Sequence, residues 1–210
     1  MIATIVYALP ILKIVILAAG FSRRLGQPKP LAKIRGRSLL DRTLEILAPL
    51  AAGLPIIVVI PPRSARYRIG LHTAAAIFVV NHERASGLSS SVRLGLLRAH
   101  YSAAVLLLPV DLGDLRRRDI EKLILQWRGR RRSVVARALG ARAATPLILP
   151  RSLYAAAAHG TGDQGLREFV RGLPRERLKL VHLPSAEADI DTADDLQAAR
   201  RRLRTSTPTR

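Results

Sequence analysis

The sequence predicts a three-layer α/β/α sandwich built on a mainly parallel sheet. Three observations lead there. Short runs of Val, Ile and Leu recur without alternating in polarity, as strands buried on both faces do. Segments whose apolar residues repeat at helical spacing lie between them. Strand–helix alternation of this kind builds parallel sheets with right-handed crossovers, and 210 residues suffice for one domain with a substantial core.

The elements follow in chain order. The stretch from Met1 to Gly20 is apolar apart from Thr4 and Lys13. It lacks the basic leader of a signal peptide, and Lys13 would sit inside the apolar run. Residues 1–12 therefore read as an extension of open structure and 13–18 as the first strand. A soluble, cytoplasmic protein is expected, with no membrane partner. Further strands are expected at 54–60, 75–80, 103–109, 133–138 and 146–149, and another at 178–183. Helices are expected at 39–47, 90–100, 117–127, 165–171 and 193–203. The first of these places Leu40, Leu44 and Leu47 on one face. Residues 13–204 form a single domain in this reading. The polar stretch 205–210, which contains Pro208, is expected to be a disordered tail.

Composition removes several kinds of chemistry. There is no cysteine, so disulfides, thiolate catalysis and cysteine-ligated metals are excluded. His72, His82, His100, His159 and His182 are scattered without ligand spacing. A hard cation held by carboxylates stays open. The net charge of +20 raises nucleic acid as a partner. The arginines are spread along the chain, however, and aromatics make up only 4%, so bases find few stacking surfaces. Nucleic acid is not the expected partner, and phosphorylated small molecules suit the charge better.

One stretch concentrates the chemistry: Leu17-Ala18-Ala19-Gly20-Phe21-Ser22-Arg23-Arg24-Leu25-Gly26-Gln27-Pro28-Lys29. A buried strand empties here into a tight loop. Gly20 and Gly26 let backbone amides approach a ligand, and Arg24 and Lys29 add positive charge beside them. The loop suits a polyphosphate. It is neither a P-loop nor a dinucleotide fingerprint, because the Gly-Lys-Ser/Thr ending and the three spaced glycines are missing. Gly87, Leu88, Ser89, Ser90 and Ser91 precede a helical segment; a serine there serves as an N-cap or faces a base or ribose. Asp111 ends the apolar run 105–110 as a natural Mg²⁺ ligand at the mouth of a strand. Asp189, Asp191, Asp194 and Asp195 open the last helix. Thr192 with Asp195 reads as a capping box, which leaves Asp191 as a second metal ligand, with Asp189 the alternative.

With these residues in view, the chain resembles the MobA-like nucleotidyltransferases. The first loop matches their Leu-Ala-Ala-Gly-x-Ser-x-Arg-(Met/Leu)-Gly-x-x-Lys signature, and 87–91 resembles their second nucleotide loop. Asp111 matches their metal-binding aspartate, although Leu112-Gly113 stands where the family has a residue and then proline. Gly162-Asp163-Gln164-Gly165-Leu166-Arg167 and Asp189-Ile190-Asp191-Thr192-Ala193-Asp194-Asp195 resemble two further motifs. Within the family the resemblance leans to molybdenum cofactor cytidylyltransferases. It implies a Rossmann-like sheet of the nucleotide-diphospho-sugar transferase type. It also implies Mg²⁺-dependent transfer of CMP from CTP to the phosphate of molybdopterin, with a molybdoenzyme as eventual recipient. The catalytic residues would be Arg24 and Lys29, and the metal ligands Asp111 and Asp191. Leu17, Ala18, Ala19, Gly20, Ser22, Gly26, Gly87, Leu88, Ser89 and Ser90 would bind the nucleotide. Thr145, Pro146, Asp163, Gln164 and Arg167 would border the acceptor. Ala19 stands where guanylyltransferase relatives carry glycine, which favours CTP over GTP. The alternatives are a sugar 1-phosphate acceptor, or an inactive fold kept for nucleic-acid binding or assembly.

Overall fold

The computed structural model describes residues 11–64, 67 and 76–205. Residues 1–10 of the expected extension and 206–210 of the expected tail lie outside the described residues. Nine strands and six α-helices are described, in the order β1 (Leu12–Leu17), β2 (Lys33–Ile34), β3 (Arg37–Ser38), α1 (Leu39–Leu47), β4 (Ile56–Ile60), β5 (Ala76–Val80), α2 (Leu88–Arg98), β6 (Ala104–Pro109), α3 (Arg117–Arg128), β7 (Val134–Leu139), β8 (Arg142–Pro150), α4 (Tyr154–Ala158), α5 (Gly165–Arg171), β9 (Leu178–Val181) and α6 (Ala193–Thr205). Seven strands form one sheet in the order β5-β4-β1-β6-β8-β7-β9, and β2 pairs with β3 alone. Every pairing in the large sheet is parallel except those of β8, which runs antiparallel to both β6 and β7.

Alternate side chains of each central strand feed two cores. Ile14 and Ile16 of β1 join Leu40 and Leu44 of α1, Leu123 and Trp127 of α3, and Leu196 of α6. Val15 and Leu17 join Val92 and Leu96 of α2, Tyr154 of α4, and Leu166 and Val170 of α5. The apolar strands without polarity alternation thus mark a sheet covered on both faces. Trp127 is 2% exposed and serves packing. Helix α1 starts at a sequence-encoded cap, where the Asp41 amide donates to Ser38 Oγ at 3.1 Å. Close approach of α2 to β1 requires Gly95, because a Cβ there would lie 2.6 Å from Val15 Cγ1.

Several boundaries differ from expectation. Strand β1 starts at Leu12 and helix α2 starts at Leu88, two residues before the expected start. Strand β8 reaches back to Arg142, and β9 stops at Val181. The short pair β2–β3 and helix α4 had no periodic signal long enough to read. Loops after the carboxyl ends of β1, β5 and β6 come together, as ligand-binding loops of open parallel sheets do.

Candidate active site

The loop after β1 is shaped by a few backbone events. The Ala18 amide still donates to Val59 O at 2.9 Å, so the chain leaves the sheet only beyond it. Ser22 takes a left-handed conformation with φ 55°, a one-turn 3-10 segment runs from Arg23 to Leu25, and Gly26 ends it with φ 71°. Buried Leu25 pins this turn to the core. The Lys29 amide donates to Ser22 Oγ at 3.0 Å and closes the loop. Ser22 therefore braces the loop as well as lining the cavity, while Gly26 provides the turn and stands outside the lining.

Lys29 projects from this loop into a cluster of acids. Its ammonium donates to Asp111 Oδ2 at 2.8 Å and to Asp191 Oδ1 at 2.6 Å. Arg24 reaches the other oxygen of Asp191 at 2.8 Å. The two carboxylates thus converge on one cation-sized point. Burial pushes the Asp111 carboxyl up, against the pull of Lys29. Burial also opposes the charge on Lys29, but Asp111 and Asp191 outweigh it and hold the lysine above its usual range. Asp191 is more exposed; burial works against its charge, yet Lys29 and Arg24 hold its carboxyl below the usual range.

Backbone bonds tie the two acids together. The Ile190 amide donates to Asp111 O at 2.9 Å, next to Asp191. The capping box forms as expected: Asp195 Oδ2 accepts from the Thr192 amide at 2.8 Å and from the Asp191 amide at 3.1 Å, and the Asp195 amide donates to Thr192 Oγ1 at 3.2 Å. Gly113 fits against Ile190, whose Cδ1 a Cβ at 113 would strike. The Leu112-Gly113 variant of the motif is therefore matched to its neighbour. Asp189 Oδ1 accepts from Arg137 Nη1 at 3.2 Å; that arginine comes from β7 and its side chain is only 4% exposed.

The opposite wall joins two loops. Gly87 has φ +89°, and a Cβ there would lie 2.8 Å from the Asp163 amide nitrogen. Leu88 N–H donates to Asp163 Oδ1 at 2.9 Å and Ser89 N–H to Gly162 O at 3.0 Å. Asn81 Nδ2 donates to the hydroxyls of Ser90 and Ser91 at 2.9 Å each.

These walls enclose a cavity of about 550 Å³. Of the residues expected at the nucleotide, Leu17, Ala18, Ala19, Gly20, Ser22, Gly87 and Leu88 line it, as do Arg24 and Lys29. Asp111, Asp191, Thr145, Asp163 and Arg167 line it too. Ser89 and Ser90 do not, because α2 begins early enough to turn them into its buried first turn; Ser91 takes their place. Pro146, after a cis Thr145–Pro146 bond, is buried in β8, and Gln164 caps α5; neither reaches the lining. Sequence reasoning missed Phe21, Arg23, Arg84 and the Arg137 support of Asp189. The signal for Arg137 was an arginine inside the apolar run 134–138.

Among the described residues no group of three or more His, Cys, Asp or Glu is arranged to hold a metal. Asp111 Oδ1 is nonetheless buried without a hydrogen-bond partner, beside the point where Asp111 and Asp191 meet. Two carboxylates with a spare oxygen fit a hard divalent cation that completes its shell with water and phosphate oxygens.

The mainly parallel sheet with a cavity above its carboxyl ends is the fold of the nucleotidyltransferase structures on which the chain superposes. Residues 14–180 match the model of the MobA-like NTP transferase domain, and the chain belongs to that family. A relative, nicotine blue oxidoreductase of Paenarthrobacter nicotinovorans, is 31% identical over 210 residues, covering 90% of this chain and 96% of that protein. Rv0371c of Mycobacterium tuberculosis superposes with a TM-score of 0.74 at 24% identity, over 91% of this chain and 98% of that one. Its manganese complex gives 0.73 at 21% identity, over 90% and 98%. Molybdopterin-guanine dinucleotide biosynthesis protein A of Archaeoglobus fulgidus gives 0.69 at 16% identity, over 92% of this chain and 100% of that one. At these identities the structural likenesses speak for the fold. No helix among the described residues is long and apolar enough to cross a membrane.

Proposed function

We propose that the protein transfers a nucleotide, CMP from CTP, to the phosphate of a molybdopterin-type acceptor. The observation that carries this reading is the Lys29 ammonium at 2.8 and 2.6 Å from Asp111 and Asp191, at the end of the glycine loop. An acceptor phosphate oxygen attacks the α-phosphorus, a P–O bond forms, the bond to the β-phosphate oxygen breaks, and pyrophosphate leaves. The attacking oxygen is already anionic near neutral pH, so no strong base is required. Catalysis then reduces to positioning and charge stabilisation. Loop amides at 18–20 hold the phosphates, and Arg24 and Lys29 neutralise charge on the leaving group. Asp111 and Asp191 would hold the divalent cation, Mg²⁺ in this reading. When bound, that ion withdraws charge from the phosphate oxygens. The manganese complex of Rv0371c supports a divalent ion in this fold. Ala19 lines the cavity, and a methyl there in place of a glycine hydrogen favours the smaller base of CTP in this reading. Thr145, Asp163 and Arg167 border the acceptor, with a cytoplasmic setting and a recipient molybdoenzyme as the resemblance implies.

The test is pyrophosphate release in Mg²⁺ with each NTP, with and without molybdopterin. Release that requires CTP and molybdopterin is expected. Release with GTP in preference to CTP, or with a sugar 1-phosphate in preference to molybdopterin, would redirect the assignment.

The 31% identity to nicotine blue oxidoreductase favours a second reading, reduction of a nicotine blue-type compound in the same cavity. The chain has no cysteine, so no dithiol of its own supplies the electrons, and a reduced nicotinamide is the donor in this reading. Bleaching of nicotine blue by enzyme plus that donor, without pyrophosphate release from any NTP, would establish it.

A further inference from the structure

The second wall of the cavity has little backbone left to offer an anion. Leu88 N–H donates to Asp163, Ser89 N–H to Gly162, and Ser90 N–H to Gly87 O at 3.3 Å. The Ser90 hydroxyl donates to Gly87 O at 2.8 Å and also accepts from Asn81. An anion against this wall must therefore be met by side chains.

Arg84 stands there, in the 3-10 turn just before Gly87. Its guanidinium carbon lies 3.9 Å from the centroid of the Phe21 ring. Arg23, from the first loop, lies 4.8 Å from the same centroid. All three line the cavity, and Phe21 is 49% exposed. Two like charges gathered on one ring repel each other, and the negative face of the ring offsets that repulsion. Among the described residues neither guanidinium has a carboxylate partner. Glu83, adjacent to Arg84 in sequence, faces Arg93 at 3.6 Å instead. Arg84 Nε is buried without a hydrogen-bond partner. Arg24 and Lys29, in contrast, are both engaged by Asp191. Uncompensated cations held together by a ring are completed by a ligand with several anionic oxygens.

We propose that Arg23, Phe21 and Arg84 form a phosphate clamp that bridges the two loops, separate from the Lys29 cluster. It rests on the nucleotidyl-transfer reading only for the source of the phosphate, the triphosphate end of the NTP or the acceptor. Inorganic tripolyphosphate, CTP and CMP are titrated calorimetrically against the full chain and against Arg84→Gln, Arg23→Gln and Phe21→Leu. Thermal melts confirm that each variant is folded, and Arg84→Lys tests whether charge without the planar stack rescues binding. Loss of a charge-assisted contact predicts about tenfold weaker tripolyphosphate binding in Arg84→Gln. Phe21→Leu weakens it as well, and the Arg84→Gln/Phe21→Leu double variant loses less than those two singles combined. Weaker CTP binding with CMP unaffected assigns the clamp to the triphosphate. Unchanged CTP binding with a raised KM for the phosphorylated acceptor assigns it to the acceptor. Wild-type binding of every anion together with an unchanged acceptor KM in all three variants overturns the clamp. Arg84-dependent tripolyphosphate binding by a protein that releases no pyrophosphate would leave the clamp standing and remove the transfer reading.

Discussion

Lys29 bridges Asp111 and Asp191, the pair that would hold a divalent cation in the proposed reading, so the lysine and such an ion would share one pair of carboxylates. Replacing it by alanine removes charge stabilisation and leaves Asp111 buried beside a gap. Lys29→Ala is expected to lower kcat/KM by about 10²–10³, in line with the loss of other preorganised donors, as read by pyrophosphate release. The Arg137–Asp189 pair makes a different, asymmetric prediction. Asp189→Ala strands a guanidinium that is 4% exposed and should cost about 3 kcal/mol in urea unfolding. Arg137→Met leaves only a half-exposed carboxylate and should cost clearly less. Asp111 was legible because a carboxylate directly after an apolar run lies at the carboxyl edge of such a sheet, Lys29 because it closes the glycine loop, and Asp191 because the Thr192–Asp195 capping box leaves it spare. Arg137 was passed over although it interrupts the apolar run 134–138, because one arginine among 35 basic residues reads as surface until its burial is known.

At the scale of elements, glycines decide how closely the loops meet. Gly87→Ala places a Cβ against the backbone of Gly162 and Asp163 at a positive φ, so both strain and clash oppose it. A loss of about 2 kcal/mol or more and weaker nucleotide binding are expected, measured by denaturation and titration. Gly113→Ala meets side chains alone, Ile190 and the tip of Ile34, and should be tolerated better. Helix α4 brings Tyr154 to Ser102 at 2.9 Å inside the core. Burial pushes this phenol up to about 12, although Ser102 and Arg151 pull it down. The unfolded chain releases that proton near pH ~10, so the contribution is complete below ~10 and is lost as pH rises toward ~12. Tyr154→Phe should flatten the fall in stability across that interval, measured by urea midpoints against pH. The start of α2 escaped the sequence reading for a related reason. Serines are ambiguous between cap and first turn, and only the Gly162–Asp163 contact decides between them.

For the whole molecule, the layers were readable because aliphatic runs without polarity alternation admit few other arrangements. The direction of β8 was not, since a strand buried on both faces has the same composition whichever way it runs. A signal did exist in the two residues, Gly140 and Ala141, that separate β7 from β8, for so short a link cannot carry a parallel crossover. The charge of +20 predicts a kinetic effect over the entire surface. The association rate of CTP should fall as salt is raised, more steeply than the dissociation rate climbs, in stopped-flow measurements.

The backbone contact between Gly87 and the Gly162–Asp163 segment has one last consequence. It welds that jaw of the groove into a single rigid piece, with no side chain between the strands of chain to compress. A bulkier guest must then find its room against the opposite wall, where side chains, the half-exposed Phe21 among them, face the groove.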